Sequence, residues 1–168
     1  SKGISAFEGK CSSFEMNTPY YLWNTLIKSM LRIGLEISEA ETRTRLHETL
    51  QLLSLGAEEP YLATFLSLRY EEILLEVDQD RKRRIFEAAR KFLTAYANRQ
   101  PVVFVLEDLH WIDRFSQELL EFMFATETVA PAFFFALYRA EYSSATRITR
   151  WGEKVDLNRL PIEKAKEL

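Results

Sequence analysis

A single cysteine, Cys11, excludes an intrachain disulfide and any metal centre built on several thiolates. The only histidines, His47 and His110, stand far apart in the chain with no cysteine beside them, which argues against zinc. Five glycines and five prolines in 168 residues leave little room for long flexible linkers. No apolar run approaches the roughly 18 residues of a membrane-spanning helix, and no signal-peptide pattern opens the chain. The formal net charge of −3 marks neither a nucleic-acid surface nor a partner for anionic membranes. Also missing is the phosphate-binding pattern G-x-x-x-x-G-K-[ST], since Gly9-Lys10 is followed by Cys11. What remains, 47% hydrophobic and 28% charged, is the composition of one soluble globular domain. A reducing, cytoplasmic setting is the expectation.

The most informative stretch is Val102-Val103-Phe104-Val105-Leu106, which stops abruptly at Glu107-Asp108. An apolar run without alternation predicts a strand covered on both faces, central in a parallel sheet. Ala132 to Tyr138 predicts a second fully buried strand ending at Arg139, and Ile4 to Cys11 a more modest one. Between them, Tyr20, Leu22, Trp23, Leu26, Ile27, Met30 and Ile33 recur at helical spacing behind Pro19, and Gly34 ends the pattern. Ser38 with Glu41 is a capping-box signature for a second helix burying Leu46, Leu50 and Leu53, closed by Gly56. Pro60 opens a third with Leu62, Phe65, Leu66, Ile73 and Leu74, and Asp78 caps a fourth with Ile85, Phe86, Ala89, Phe92, Leu93 and Tyr96. Asp113 then caps a helix containing Phe115, Leu119, Leu120, Phe122 and Met123; Val155 to Leu157 predicts a last short strand and Ile162 a further helix. Strands alternating with helices predict an α/β fold with a parallel sheet and right-handed crossovers. The domain core spans residues 1–160, with an all-helical insertion over about 19–99.

In open α/β sheets, ligands bind beyond the carboxyl ends of the strands. Glu107 and Asp108 are delivered there, and Arg139 joins them if its strand is the neighbour. Two hard oxygen donors suit a divalent cation, and a guanidinium can meet charge on a transferring phosphoryl group. The plainer alternatives are a solvated strand end for the acids and an ion pair with one of them for Arg139.

Val105-Leu106-Glu107-Asp108-Leu109-His110-Trp111-Ile112-Asp113, followed by Ser116 and Leu119-Leu120, resembles the Walker B region of signalling ATPases with numerous domains, the STAND class. More narrowly, it is similar to the AAA-like P-loop ATPase module attached to adenylyl and guanylyl cyclases, large transcriptional activators and some bacterial kinases. Gly9-Lys10-Cys11 with Asn17-Thr18-Pro19-Tyr20-Tyr21 resembles that module's second strand and helix entry. Ala136-Leu137-Tyr138-Arg139-Ala140-Glu141 resembles its sensor strand, and Leu157 with Leu160-Pro161 the entry to its lid, so that residues 161–168 would begin a lid helix. The resemblance implies ATP and Mg²⁺ in the intact module, with Glu107 as the usual magnesium acid, Asp108 as the usual base, and Arg139 at the γ-phosphate. The Glu-Asp order reverses the commoner Asp-Glu pair, which leaves the split of roles open. It further implies an effector or cyclase domain in the same polypeptide and a nucleotide-dependent oligomer. The departure is the missing phosphate loop: the chain looks like the module without its first strand–loop–helix unit, unable to turn over alone. The alternative is a nucleotide-independent interaction module that uses the helical insertion.

Around the acids, Asp113 reads most simply as a helix N-cap and Trp111 as a packing residue, with a lesser place for His110 beside the γ-phosphate. Arg81-Lys82-Arg83-Arg84 sits among Asp78, Asp80 and Glu87 and predicts a solvated helix face rather than a nucleic-acid patch. Cys11 is expected to be a buried strand residue. Tyr20, Tyr21 and Trp23 are expected to pack the insertion onto the sheet, adenine stacking being the alternative.

Overall fold

The structure, a computed structural model, describes residues 3–34, 36–125, 132–139, 142 and 152–157. Its elements in order are β1 (Ser5–Lys10), α1 (Tyr21–Leu31), α2 (Glu39–Leu52), α3 (Glu59–Ala63), α4 (Glu71–Leu74), α5 (Asp78–Ala97), β2 (Val102–Glu107), α6 (Arg114–Ala125) and β3 (Ala132–Ala136). The three strands form one sheet in the order β1-β2-β3. Both pairings are parallel and in register, with Phe7 opposite Phe104 and Phe104 opposite Phe134. The expected α/β class and parallel sheet are present, with the acid-bearing strand in the centre.

Side chains alternate across a strand, so Phe7, Phe104 and Phe134 share one face. Their rings stack in sequence across the strands, with centroids 6.4 Å and 5.0 Å apart. Tyr96 of α5 meets Phe7 edge-on at 5.3 Å, and Phe124 of α6 meets Phe134 at 5.2 Å. Helix α1 comes closest: a methyl placed on Gly9 would lie 3.0 Å from the Leu26 Cβ. Glycine lets the helix backbone approach the strand here. Phe92, Trp23, Leu26, Leu46, Leu50 and Leu62 belong with Phe104 and Leu106 to one buried cluster, so sheet and helices share a core.

The other face corrects the sequence reading. β2 alternates between buried and half-buried residues, and on β3 Phe133 is 57% exposed and Phe135 50%. Neither strand is covered on both faces by the described residues. An apolar run shows only that both faces are apolar, and the described helices α1, α5 and α6 all pack on one.

Five helices, not four, lie between β1 and β2. The helix expected from Pro60 through Leu74 breaks at Ser67, whose φ of 58° turns the chain after a tight Thr64–Leu66 turn. Leu74, expected inside, is therefore exposed. Ser38 does cap α2, its hydroxyl accepting from the Glu41 N–H at 3.2 Å, but α2 stops before a left-handed Ser54 rather than at Gly56. Likewise α1 ends on a left-handed Arg32, not at Gly34, and Val77 rather than Asp78 is the N-cap of α5. The basic run is a solvated face: Arg81, Lys82, Arg83 and Arg84 pair with Asp78, Glu118, Glu87 and Glu76 respectively. Phe115 is exposed on α6. Val155 to Leu157 is exposed irregular chain instead of a strand. Residues 161–168, expected to begin a helix, lie outside the described residues.

Candidate functional site

Strand β2 delivers its two acids to different surroundings. Glu107 lies opposite Lys10 in the β1–β2 register, and the ammonium approaches its carboxylate to 3.5 Å. The side chains are 57% and 32% exposed, so the pair contributes at most ~1 kcal/mol. Asp108 then leaves the strand in the left-handed conformation, φ 56° and ψ 35°. For a residue with a Cβ this costs about 1–2 kcal/mol, although aspartate tolerates it better than most. The turn is held from both sides. Cys11 N–H donates to the Glu107 carbonyl (3.0 Å), Leu137 N–H to the Leu106 carbonyl (2.8 Å), and Leu109 N–H to the Leu137 carbonyl (3.0 Å). Trp111 N–H closes the following Leu109–Trp111 turn on the Asp108 carbonyl at 2.8 Å.

Asp108 lines a cleft of about 430 Å³ shared with Lys10, Cys11, Ser12, Tyr21 and Trp111. The end of β1 forms one wall and the first turns of α1 another, joined where the Lys10 N–H donates to Thr25 Oγ1 at 2.8 Å. Burial pushes the Cys11 thiol up to about 12, and the charges of Asp113 and Asp108 push the same way. The thiol is therefore protonated and a poor nucleophile at neutral pH; Cys11 is buried as expected, but it lies one residue past the end of β1 rather than within the strand.

Asp113 caps α6 as expected, its Oδ1 accepting from the Ser116 N–H at 2.9 Å. The same carboxylate also accepts from Tyr20 N–H through Oδ1 and from Tyr21 N–H through Oδ2, each at 3.1 Å. Only 3% exposed, it places an internal anion at the start of α1 and occupies the Tyr20 and Tyr21 N–H groups there. Trp23 adds a second tie, its Nε1–H donating to the Ser116 carbonyl at 3.1 Å. Tyr20 and Trp23 are buried packing residues, as expected, whereas Tyr21 faces the cleft. The Tyr20 ring meets Phe65 edge-on at 5.2 Å.

His110 lies against Trp111, ring centroids 5.0 Å apart. Both of its ring nitrogens are shut from solvent and find no hydrogen-bond partner among the described residues, an unmet polar demand next to the acids. Arg139 lies three residues beyond the end of β3, exposed, with its carbonyl accepting the Tyr142 N–H at 3.0 Å. The neighbouring-strand condition set for Arg139 is met, because β3 pairs with β2. The cation found beside Glu107 is Lys10, which the sequence placed only in the Gly9-Lys10-Cys11 strand motif and not in the site. The missed cleft residues, Lys10, Ser12 and Thr25, carried no local signal; only the register of β1 against β2 brings Lys10 to Glu107.

Among the described residues, no three His, Cys, Asp or Glu side chains cluster as a metal cage. No described hydrogen bond or ion pair engages the Asp108 carboxylate. The Asp108 carboxylate in the cleft suits an ion such as Mg²⁺, which keeps several of its waters, whereas the Glu107 carboxylate meets Lys10.

A family model described as "AAA ATPase domain" matches residues 2–135. That span runs from β1 into β3, takes in Glu107, Asp108, His110 and Asp113, and stops short of Arg139. No curated protein and no solved structure matches the chain.

Proposed function

Because the chain belongs to the AAA ATPase domain family, we propose that it is part of an ATP-binding and ATP-hydrolysing regulatory switch of the STAND class, in a multidomain cytoplasmic signalling protein. The observation that carries this reading is Asp108, held in a left-handed turn at the end of the central parallel strand, its carboxylate lining the cleft. Glu107 stands beside it, so two carboxylates occupy the strand end where such sheets bind ligands.

In this reading Glu107 and Asp108 would hold Mg²⁺, which when bound would supply positive charge to the phosphate oxygens. Asp108 also orients the attacking water for in-line displacement at the γ-phosphate. Arg139 meets charge developing on the transferred group, and the unpartnered imidazole of His110 lies within the same turn as a weaker contributor. Nucleotide state then sets the orientation of lid domains, which report to an effector or cyclase domain of the same polypeptide and to a nucleotide-dependent oligomer.

Calorimetry with Mg²⁺-ATP on the intact natural protein tests the reading. Asp108→Asn is expected to keep nucleotide binding and lose turnover by at least a hundredfold, and Glu107→Gln to raise the magnesium requirement. Absence of Mg²⁺-ATP binding by the intact protein would sink it. A nucleotide-independent interaction module is the second reading, and the Lys10 ammonium already meeting Glu107 is the observation in its favour.

A further inference from the structure

Asp113 does more than a helix cap requires. An N-cap needs one side-chain oxygen bonded to one N–H of its own helix, and here that bond goes to Ser116. The remaining acceptor capacity is spent across the fold, on Tyr20 and Tyr21, 93 and 92 residues away. One buried carboxylate thus sits on the positive ends of two helices at once, α1 and α6. Only the short turn Leu109–Trp111 and Ile112 separate it from Asp108. That turn begins on a left-handed residue, a conformation that persists where its surroundings over-determine it.

Each end of the turn is fixed differently. Its beginning is fixed by the sheet, through Leu109 N–H on the Leu137 carbonyl. Its far end has no strand to bond and runs through Ile112 into Asp113, which is anchored on α1. Tyr21, one of the residues that Asp113 binds, lines the same cleft as Asp108.

We infer that Asp113 is a positioning residue: its bonds to Tyr20 and Tyr21 hold the Asp108 turn, so that the aim of the Asp108 carboxylate depends on the seating of α1. The helices between β1 and β2 thereby acquire a direct mechanical connection to the acid. A displacement of α1 by a partner or a lid would be felt at Asp108 without any contact to it. The catalytic consequence rests on the magnesium role proposed above; the clamp itself does not.

Asp113→Ser separates cap from clamp. Serine is as good an N-cap as aspartate, so α6 keeps its Ser116 bond, but a hydroxyl cannot also reach Tyr20 and Tyr21. Hydrogen exchange measured in the natural full-length protein is expected to accelerate at least tenfold at the Trp111 and Ile112 amides, which close the far end of the turn on the Asp108 and Leu109 carbonyls, together with the first turn of α1. Ser38→Ala, which uncaps α2 away from the site, is expected to leave both amides within twofold of wild type. Should the serine variant fail to fold, Asp113→Asn keeps one oxygen for Tyr20 and Ser116 and is expected to change the same two amides in the same direction. In parallel, the Mg²⁺ concentration for half-maximal ATP binding is expected to rise at least fivefold in the Asp113 variant. Unchanged exchange at Trp111 and Ile112 would overturn the clamp, and faster exchange with an unaltered magnesium requirement would overturn the positioning role. If the wild-type protein binds no Mg²⁺-ATP, the nucleotide reading falls, and the exchange result alone decides the clamp.

Discussion

Replacing Gly9 by alanine should measure how tightly α1 is pressed onto β1. A Cβ at this position would lie 3.0 Å from the Leu26 Cβ, 3.1 Å from Leu22 Cδ1 and 3.2 Å from the Leu22 carbonyl oxygen. The Leu22 methyl can rotate away. The other two atoms are fixed to the helix backbone, so relief requires α1 itself to withdraw by some tenths of an ångström. Such overpacking of a close contact costs about 1–3 kcal/mol. Alanine recovers part of this, roughly 0.4–1 kcal/mol, by reducing the freedom of the unfolded chain. Mid-range values of the two leave an expected net loss of about 1–2 kcal/mol. At about 2–4 °C per kcal/mol for a domain of this size, the melting temperature should fall by roughly 2–8 °C. Urea unfolding followed by circular dichroism is the assay, with a lowered midpoint and an unchanged m-value expected. An alanine variant as stable as wild type would refute the reasoning, because it would show that α1 has slack against the strand.

Alkali should destabilise the protein through Cys11 and Tyr20. Burial holds the Cys11 thiol at about 12 against an ordinary 9.0, and the Tyr20 phenol at about 12 against 10.0. The native state thus keeps protons that the unfolded chain releases, so this contribution is fully present below about pH 9 and is lost as pH rises toward 12. Urea midpoints across that range should fall, with a shallower slope for Cys11→Ala; an identical slope would contradict the assignment. Phe92→Ala, at a position 1% exposed, is expected to cost about 3–5 kcal/mol. Phe14→Ala, at a position 94% exposed, should stay within about 0.5 kcal/mol. Equal effects on the urea midpoint would show that the core is misplaced.

Much of the fold was legible because its signals are local. The helical spacing of Leu22, Trp23, Leu26, Ile27 and Met30, and of Ile85, Phe86, Ala89, Phe92 and Leu93, reports which side of each helix is apolar, and those residues are buried. The apolar run closing on Glu107-Asp108 marked the central strand and its acids, and Ser38 and Asp113 marked helix starts that their hydrogen bonds bear out. The break at Ser67 was hidden because a non-glycine residue in the left-handed region carries no compositional mark.

What the tertiary structure alone decided are relations between distant residues. Periodicity could not say that one sheet face would stay open at Phe133 and Phe135, since hydrophobicity does not specify whether a partner layer is supplied. It could not bring Lys10 to Glu107, because strand register is set by pairing and not by either strand's own pattern. Nor could it show that Asp113 binds α1, since a carboxylate's capacity for three N–H groups is fixed by its chemistry, but the donors that fill it arrive only when residues 93 positions apart are packed together.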